Sequence, residues 1–254
     1  MNKKMKFTNI IKNLFSKSNR GNLAYYPGCL TRYVGKDLEE NYIKILDYLN
    51  LDYIVVDEIK CCGSPALNAG YEDIFKDQIA KNISYFSSRN IKTIVTNCPA
   101  CYHTFKHEYS KYEMWKEAGF EVIHITQLLN EHLNVLKIKN KLFTRATYHD
   151  PCHLGRYSNI YDEPREIIQK CVEELEEMQF SKENAFCCGG GAGLRTTNKE
   201  LSNKIAQKRV MQAEEIDVEA VITSCPLCYL HLKENSQNLP IIELSQLLTK
   251  ALKL

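Results

Sequence analysis

One pattern of five cysteines is written twice along this chain, and it dictates a duplicated architecture. The first copy is Cys29, then Cys61-Cys62-Gly63, then Cys98-Pro99-Ala100-Cys101. The second is Cys152, then Cys187-Cys188-Gly189, then Cys225-Pro226-Leu227-Cys228. Gaps of 31 and 34 residues separate the lone cysteine from the vicinal pair, and gaps of 35 and 36 separate the pair from C-P-x-C. Buried free cysteines acting as small hydrophobes would not reproduce five positions twice. Structural zinc takes four ligands, whereas each copy gathers five thiols, two of them adjacent. That set points to iron–sulfur chemistry. The competing reading is a pair of four-cysteine zinc sites, each with one spare thiol. Cys171 lies outside the pattern and reads as a core or surface thiol.

Eleven cysteines, an odd number, match a disulfide framework poorly. No apolar signal region or cleavage site opens the chain, and in a reducing cytosol such patterns bind metals or catalyse. A cytoplasmic location is therefore expected. The net charge of +2 gives no case for nucleic acid, and no apolar run reaches the ~20 residues of a membrane span. The first 20 residues carry Lys3, Lys4, Lys6, Lys12, Lys17 and Arg20 and no acid. Phe7, Ile10, Ile11, Leu14 and Phe15 recur there at helical spacing. Such a leader can rest on the inner face of an anionic membrane, dock on a partner, or stay solvated.

The repeat extends beyond cysteine. Val95-Thr96-Asn97-Cys98-Pro99-Ala100-Cys101-Tyr102 matches Ile222-Thr223-Ser224-Cys225-Pro226-Leu227-Cys228-Tyr229. Ile125-Thr126-Gln127-Leu128-Leu129 echoes Leu244-Ser245-Gln246-Leu247-Leu248. In the first copy, β-branched or aromatic runs at 23–26, 53–56, 93–96 and 121–125 alternate with helical spacing at 38–49, 74–86, 99–109 and 127–136. The second copy predicts strands at 146–149 and 220–223, a helix from about Pro164 and a long helix over 199–215. Alternation of this kind implies α/β architecture: two pseudo-symmetric Rossmann-like repeats with mostly parallel sheets. The expected division is a leader over 1–21, one domain over 22–139 and a second over 140–254, joined through the polar stretch 137–145.

This architecture gives the cysteines a reason for their places. Open α/β sheets bind ligands beyond the carboxyl ends of their strands, and Cys29, Cys98, Cys152 and Cys225 each follow a predicted strand. Proline after Cys98 and Cys225 fits a first helical position, whose free N–H groups favour thiolates. Adjacent cysteines diverge in a regular element, so Gly63 and Gly189 are expected to bend the vicinal loops until both sulfurs reach one site. The run Gly189-Gly190-Gly191-Ala192-Gly193 lets backbone amides approach sulfur. It lacks G-x-G-x-x-G spacing, which disfavours a nucleotide site.

Tyr26-Pro27-Gly28-Cys29, Cys61-Cys62-Gly63-Ser64-Pro65, His149-Asp150-Pro151-Cys152-His153 and Cys187 to Gly191 resemble signatures of the cysteine-rich CCG family, over about residues 22–254. Members include catalytic subunits of heterodisulfide reductases and iron–sulfur subunits of glycolate, lactate and glycerol-3-phosphate oxidising complexes. The resemblance implies a noncubane [4Fe-4S] cluster at each complete motif. Cys29, Cys61, Cys62, Cys98 and Cys101 would hold one, and Cys152, Cys187, Cys188, Cys225 and Cys228 the other, flanking a cleft between the halves. Longer relatives begin with a cysteine-bearing ferredoxin-like region. Nothing before Cys29 contains cysteine, so electrons are expected from a separate ferredoxin-like subunit.

The implied reaction is reductive cleavage of a small disulfide, or its reverse. The alternative is an electron-transfer subunit of a 2-hydroxyacid or glycerol-3-phosphate oxidising complex with the flavin on a partner flavoprotein. Arg32, Arg156 and Arg195 follow cluster cysteines and are candidates for clamping a substrate anion; the competing reading is charge balance at the surface. His149 and His153 bracket Cys152, and His153 is the candidate for moving a proton to a leaving thiolate. Both also fit a core role. His103 and His107, one turn apart, lack the acidic companion of a zinc motif.

Overall fold

A computed structural model describes residues 22–57 and 61–254; the basic leader lies outside the described residues. Strands β1 (Leu23–Tyr26), β2 (Tyr53–Val55), β3 (Thr93–Thr96) and β4 (Glu121–His124) form one sheet in the order β2-β1-β3-β4. Strands β5 (Arg145–Tyr148), β6 (Glu174–Glu176), β7 (Ala220–Thr223) and β8 (Ile241–Glu243) form the other in the order β6-β5-β7-β8. Every pairing is parallel. In the first sheet Ala24 stands opposite Ile54 and Ile94, and in the second Thr147 stands opposite Glu176 and Val221. The expected α/β class with duplicated repeats is thus what the chain adopts, with wholly parallel sheets.

Parallel strands need helical crossovers, which cover both faces of a sheet. The first half supplies α1 (Gly28–Tyr33), α2 (Lys36–Tyr48), α3 (Ser64–Asn68), α4 (Glu72–Ser88), α5 (Pro99–His103), α6 (Glu113–Ala118) and α7 (Ile125–Glu131). The second supplies α8 (Asp162–Cys171), α9 (Leu194–Thr197), α10 (Lys199–Glu214), α11 (Pro226–Asn235) and α12 (Leu244–Leu252). Strand alternation decides the layers. Leu23 and Tyr25 of β1 face the core between the halves, while Ala24 and Tyr26 face the opposite side.

The inner layer is shared. Helix α2 packs on α12 and α7 packs on α8, a reciprocal exchange that relates the halves by an approximate two-fold. Ile45, Leu46, Leu128 and Leu129 of the first half meet Ile167, Ile168, Leu247 and Leu248 of the second in one buried cluster. Each fully buried Leu or Ile contributes roughly 1.5–3 kcal/mol, so the halves are joined by a core. A buried polar bond crosses it, from the Tyr42 hydroxyl to Glu243 Oε1 at 2.7 Å. The outer layers are α4, α5 and α6 on the first sheet and α10 and α11 on the second.

Two local expectations change. The helix predicted over 99–109 is α-helical only to His103, then widens into a π turn over Thr104–Glu108 and ends in a 3-10 turn at Tyr109–Lys111. The register change lets Phe105 and Tyr109 both bury against the outer face of the sheet. The helix predicted over 127–136 starts earlier, at Ile125, because His124 and Gln127 form a reciprocal cap, and it stops at Glu131. The connector is fastened at both ends, with Lys139 N–H donating to Ala251 O and Leu142 N–H to Cys171 O. Cys171 is a core thiol, which burial pushes up to about 12. No helix among the described residues is long and apolar enough to cross a membrane.

Candidate metal centres

Each five-cysteine set converges beyond the carboxyl end of its own sheet. Cys29 sits in α1 just after β1, and Cys98 follows β3 and caps α5; Cys152 and Cys225 hold the equivalent places after β5 and β7. The vicinal pairs enter through loops that glycine shapes. Gly63 and Gly189 both have positive φ, 83° and 80°. A Cβ on Gly63 would stand 2.7 Å from the Phe75 ring, and one on Gly189 would stand 2.7 Å from the Ser202 carbonyl oxygen. Both amides donate to sulfur, Gly63 N–H to Cys61 at 3.4 Å and Gly189 N–H to Cys187 at 3.3 Å. Gly190 N–H adds a bond to Cys188 at 3.4 Å, whereas Gly191 faces open space. Sequence reasoning singled out these glycines but not Gly28, whose missing side chain leaves room for Cys101 Sγ.

The thiols touch in the same order in both halves. Cys29 neighbours Cys61, Cys61 neighbours Cys62, Cys62 neighbours Cys101 and Cys101 neighbours Cys98, all as free thiols. Cys152, Cys187, Cys188, Cys228 and Cys225 repeat the series. Hydrogen bonds from Cys29 and Cys62, aided by Gly63 N–H, hold the Cys61 thiol down to about 2. Cys152, Cys188 and Gly189 do the same for Cys187, to about 2. At the far end, the bonds from Cys62 and Cys98, then burial, push Cys101 up; Cys188, Cys225 and burial do so for Cys228. Five adjacent thiols cannot all ionise without a neutralising cation. A buried, softly basic sulfur set of this kind suits a thiolate-bound cationic centre, and five sulfurs exceed what one zinc uses. Cys29 and Cys187 are exposed and mark the solvent side of each set.

Behind the sulfurs the halves differ. Helices α4 and α10 bury equivalent positions 127 residues apart, Phe75 with Ser202, Ile79 with Ala206, and Asn82 with Arg209. In the first half, Asn82 donates to Cys61 O at 3.0 Å and to the Tyr109 hydroxyl, which donates to Cys62 O at 2.9 Å. Phe75, Phe105 and Trp115 pack around that pair. In the second half, Ser202 Oγ donates to Gly189 O at 2.8 Å and meets His231 Nε2 at 2.9 Å. His149, at the place of Tyr26, is buried with a nitrogen atom and the Cys188 and Cys228 sulfurs all within 4.8 Å of one another. Burial, then the Arg209 charge, lowers His149 to about 3, so the imidazole is neutral.

The other predicted residues fall into place individually. Arg32 donates to Val56 O at 2.6 Å and pairs with Glu39, and Arg156 donates to Ala185 O at 2.6 Å and to Glu183 O. Both therefore brace the chain on its way into a vicinal-cysteine loop. Arg195 pairs with Glu234 at the surface. His153 Nδ1 lies 3.4 Å from Cys152 Sγ. Its ring meets His103 and Tyr157, while His103 stacks beside His107 and pairs with Glu108. These contacts cross between the halves: His103 follows Cys101, and α1, bearing Cys29, packs on α11, bearing Cys228. Asn82, Tyr109 and Arg209 went unnoticed in the sequence. The pairing of Asn82 with Arg209 at one helical position was the only signal that could have found them.

The profile of the cysteine-rich CCG domain matches residues 23–106 and 146–233, once in each half. An uncharacterized iron–sulfur protein of Methanocaldococcus jannaschii is 34% identical over 87% of this chain and 42% of its own length. One subunit of the fumarate reductase (CoM/CoB) of Methanothermobacter marburgensis is 32% identical over 84% of this chain and 42% of its own. One subunit of the dihydromethanophenazine:CoB–CoM heterodisulfide reductase of Methanosarcina acetivorans is 28% identical over 87% and 56%. The chain thus spans about half the length of these relatives.

Proposed function

Because this chain belongs to the cysteine-rich CCG domain family, we propose that it is a redox subunit with two noncubane [4Fe-4S] clusters, acting on a small thiol or disulfide. The observation that carries this reading is the five-sulfur contact series, formed twice in the same order. The relatives named as iron–sulfur and heterodisulfide reductase proteins support it.

Cys29, Cys61, Cys62, Cys98 and Cys101 would hold one cluster, and Cys152, Cys187, Cys188, Cys225 and Cys228 the other. When bound, such a group supplies single electrons at sulfur, so that a disulfide takes up two electrons and two protons and leaves as two thiols. The chain's own part is geometry and charge. Gly63, Gly189 and Gly190 amides donate to ligand sulfur and damp its negative charge. Arg32 and Arg156 fix the approach to each vicinal pair. His153, beside Cys152 and next to the boundary between the halves, would pass a proton to a departing thiolate. The sites' elements touch across that boundary, and a substrate held there would be shared by both. Electrons would come from a ferredoxin-like iron–sulfur subunit.

The test is iron and sulfide quantitation with electron paramagnetic resonance on anaerobically purified protein, followed by turnover of a disulfide with reduced viologen. The expected result is two clusters per chain and viologen oxidation that depends on the disulfide. One zinc per half without sulfide would overturn the reading. A second reading, in which the chain relays electrons to a flavoprotein partner, draws on the relative named as part of a fumarate reductase. It is favoured if the clusters form but viologen is oxidised only when a flavoprotein is added.

A further inference from the structure

A buried pair in the second half is left over from this chemistry. Arg209 is 1% exposed, and its Nε–H donates to His149 Nδ1 at 3.1 Å. A donor at Nδ1 makes that nitrogen the acceptor, so the neutral ring carries its proton on Nε2. Nε2 is buried and has no partner within the protein. The sulfurs of Cys188 and Cys228 lie within 4.8 Å of a nitrogen of that ring.

The charge on Arg209 is also left without a carboxylate of its own. Its Nη1 donates to Phe180 O and Gln212 Oε1, both uncharged, and its Nη2 is buried without a partner. The neighbouring carboxylates, Asp150 and Glu177, both clamp Arg165 through paired bonds. In the first half the equivalent helix position is Asn82, which is neutral and spends its amide on Cys61 O and Tyr109. The position three residues before the lone cysteine is Tyr26 there, against His149 here.

Resting on the reading of both sites as iron–sulfur sites, we propose that Arg209 positions His149 as a hydrogen-bond donor to the second site's sulfurs, making that cluster the more easily reduced of the two. Adding an electron makes no bond and breaks none; it increases negative charge on the cluster and its sulfurs. A hydrogen bond to sulfur and a buried cation both stabilise the more negative state and raise the potential. The first site, lined by Phe75, Tyr109 and Asn82, has the neutral Asn82 amide where the second has the Arg209 charge. An electron entering the molecule from an iron–sulfur partner therefore comes to rest in the second half.

The experiment is a redox titration of the full chain with its clusters, monitored by electron paramagnetic resonance, with iron measured for every variant. Wild type is expected to show two unequal reduction steps. His149→Leu is expected to lower the reduction equilibrium constant of the more positive step about tenfold, about 59 mV for one electron, and leave the other step in place. His149→Gln, which can accept from Arg209 and still donate, should restore most of the shift. Arg209→Asn, the first half's residue, should move the same step in the same direction with the imidazole retained. Coincident steps in wild type, an unmoved positive step in His149→Leu, or movement of the negative step instead would each overturn the pairing. Should His149→Leu lose iron, an unmoved positive step in Arg209→Asn overturns it as well. Wild-type protein without iron refutes the cluster reading itself, a separate outcome.

Discussion

The two halves share a backbone and a sulfur series yet line them with opposite chemistry. In the first, aromatic rings and one asparagine stand behind the vicinal pair; in the second, two histidines, a serine and a buried arginine do. What both keep is the framework bond at the strand ends. The Tyr25 hydroxyl bonds Asn97 at 3.1 Å, and Tyr148 bonds Ser224 at 2.5 Å. The difference teaches that the ligand frame and its lining are separable. Sulfur positions depend on strand ends and glycine loops, whereas the lining hangs from one face of α4 or α10 and can change without moving a cysteine.

The largest expected effect tests whether the sites are independent. Cys62→Ala and Cys188→Ala each remove the middle sulfur of one series. Each is expected to lose the iron of its own half, keep the other, and abolish disulfide turnover; retention of full iron by both would break the ligand assignment. Next comes stability. Arg165→Met strands the buried Asp150 carboxylate and should cost about 3–5 kcal/mol in denaturant unfolding. The first half has Pro27 where Asp150 stands, and Arg32→Met, at a pair whose arginine is 26% exposed, should cost less, about 1–3 kcal/mol. Equal costs would contradict this contrast.

The smallest effect concerns pH, at the capping residue that ends the last strand of each half. Burial raises Glu243 to about 7 against hydrogen bonds from Ser245 and Tyr42, while burial lowers His124 to about 3. Glu243 thus contributes stability that is complete below its unfolded value of about 4.3 and lost as pH rises to about 7, on the order of 3 kcal/mol in all. His124 works in the opposite sense, its contribution present above about 6.5 and lost as pH falls toward 3. Unfolding measured across that range should show Glu243→Gln gaining stability relative to wild type as pH rises. A wild-type profile unaltered by the substitution would refute the assignment.

Periodicity and spacing determined the repeat, the α/β class, most strands and the ten cysteines, because strand alternation, helix starts at C-P-x-C and glycine at a positive φ are local events. The same local rules misread 99–109, where burial of Tyr109 behind the vicinal loop converts helix into a π turn. Tertiary structure alone decided the shared helix layer, the bond from Tyr42 to Glu243 across 201 residues, and the meeting of His149 with Arg209 across 60. Sequence spacing carries no information about which faces of distant helices meet. That is fixed only when apolar faces from both halves are buried together, and the few polar groups caught between them must then find each other.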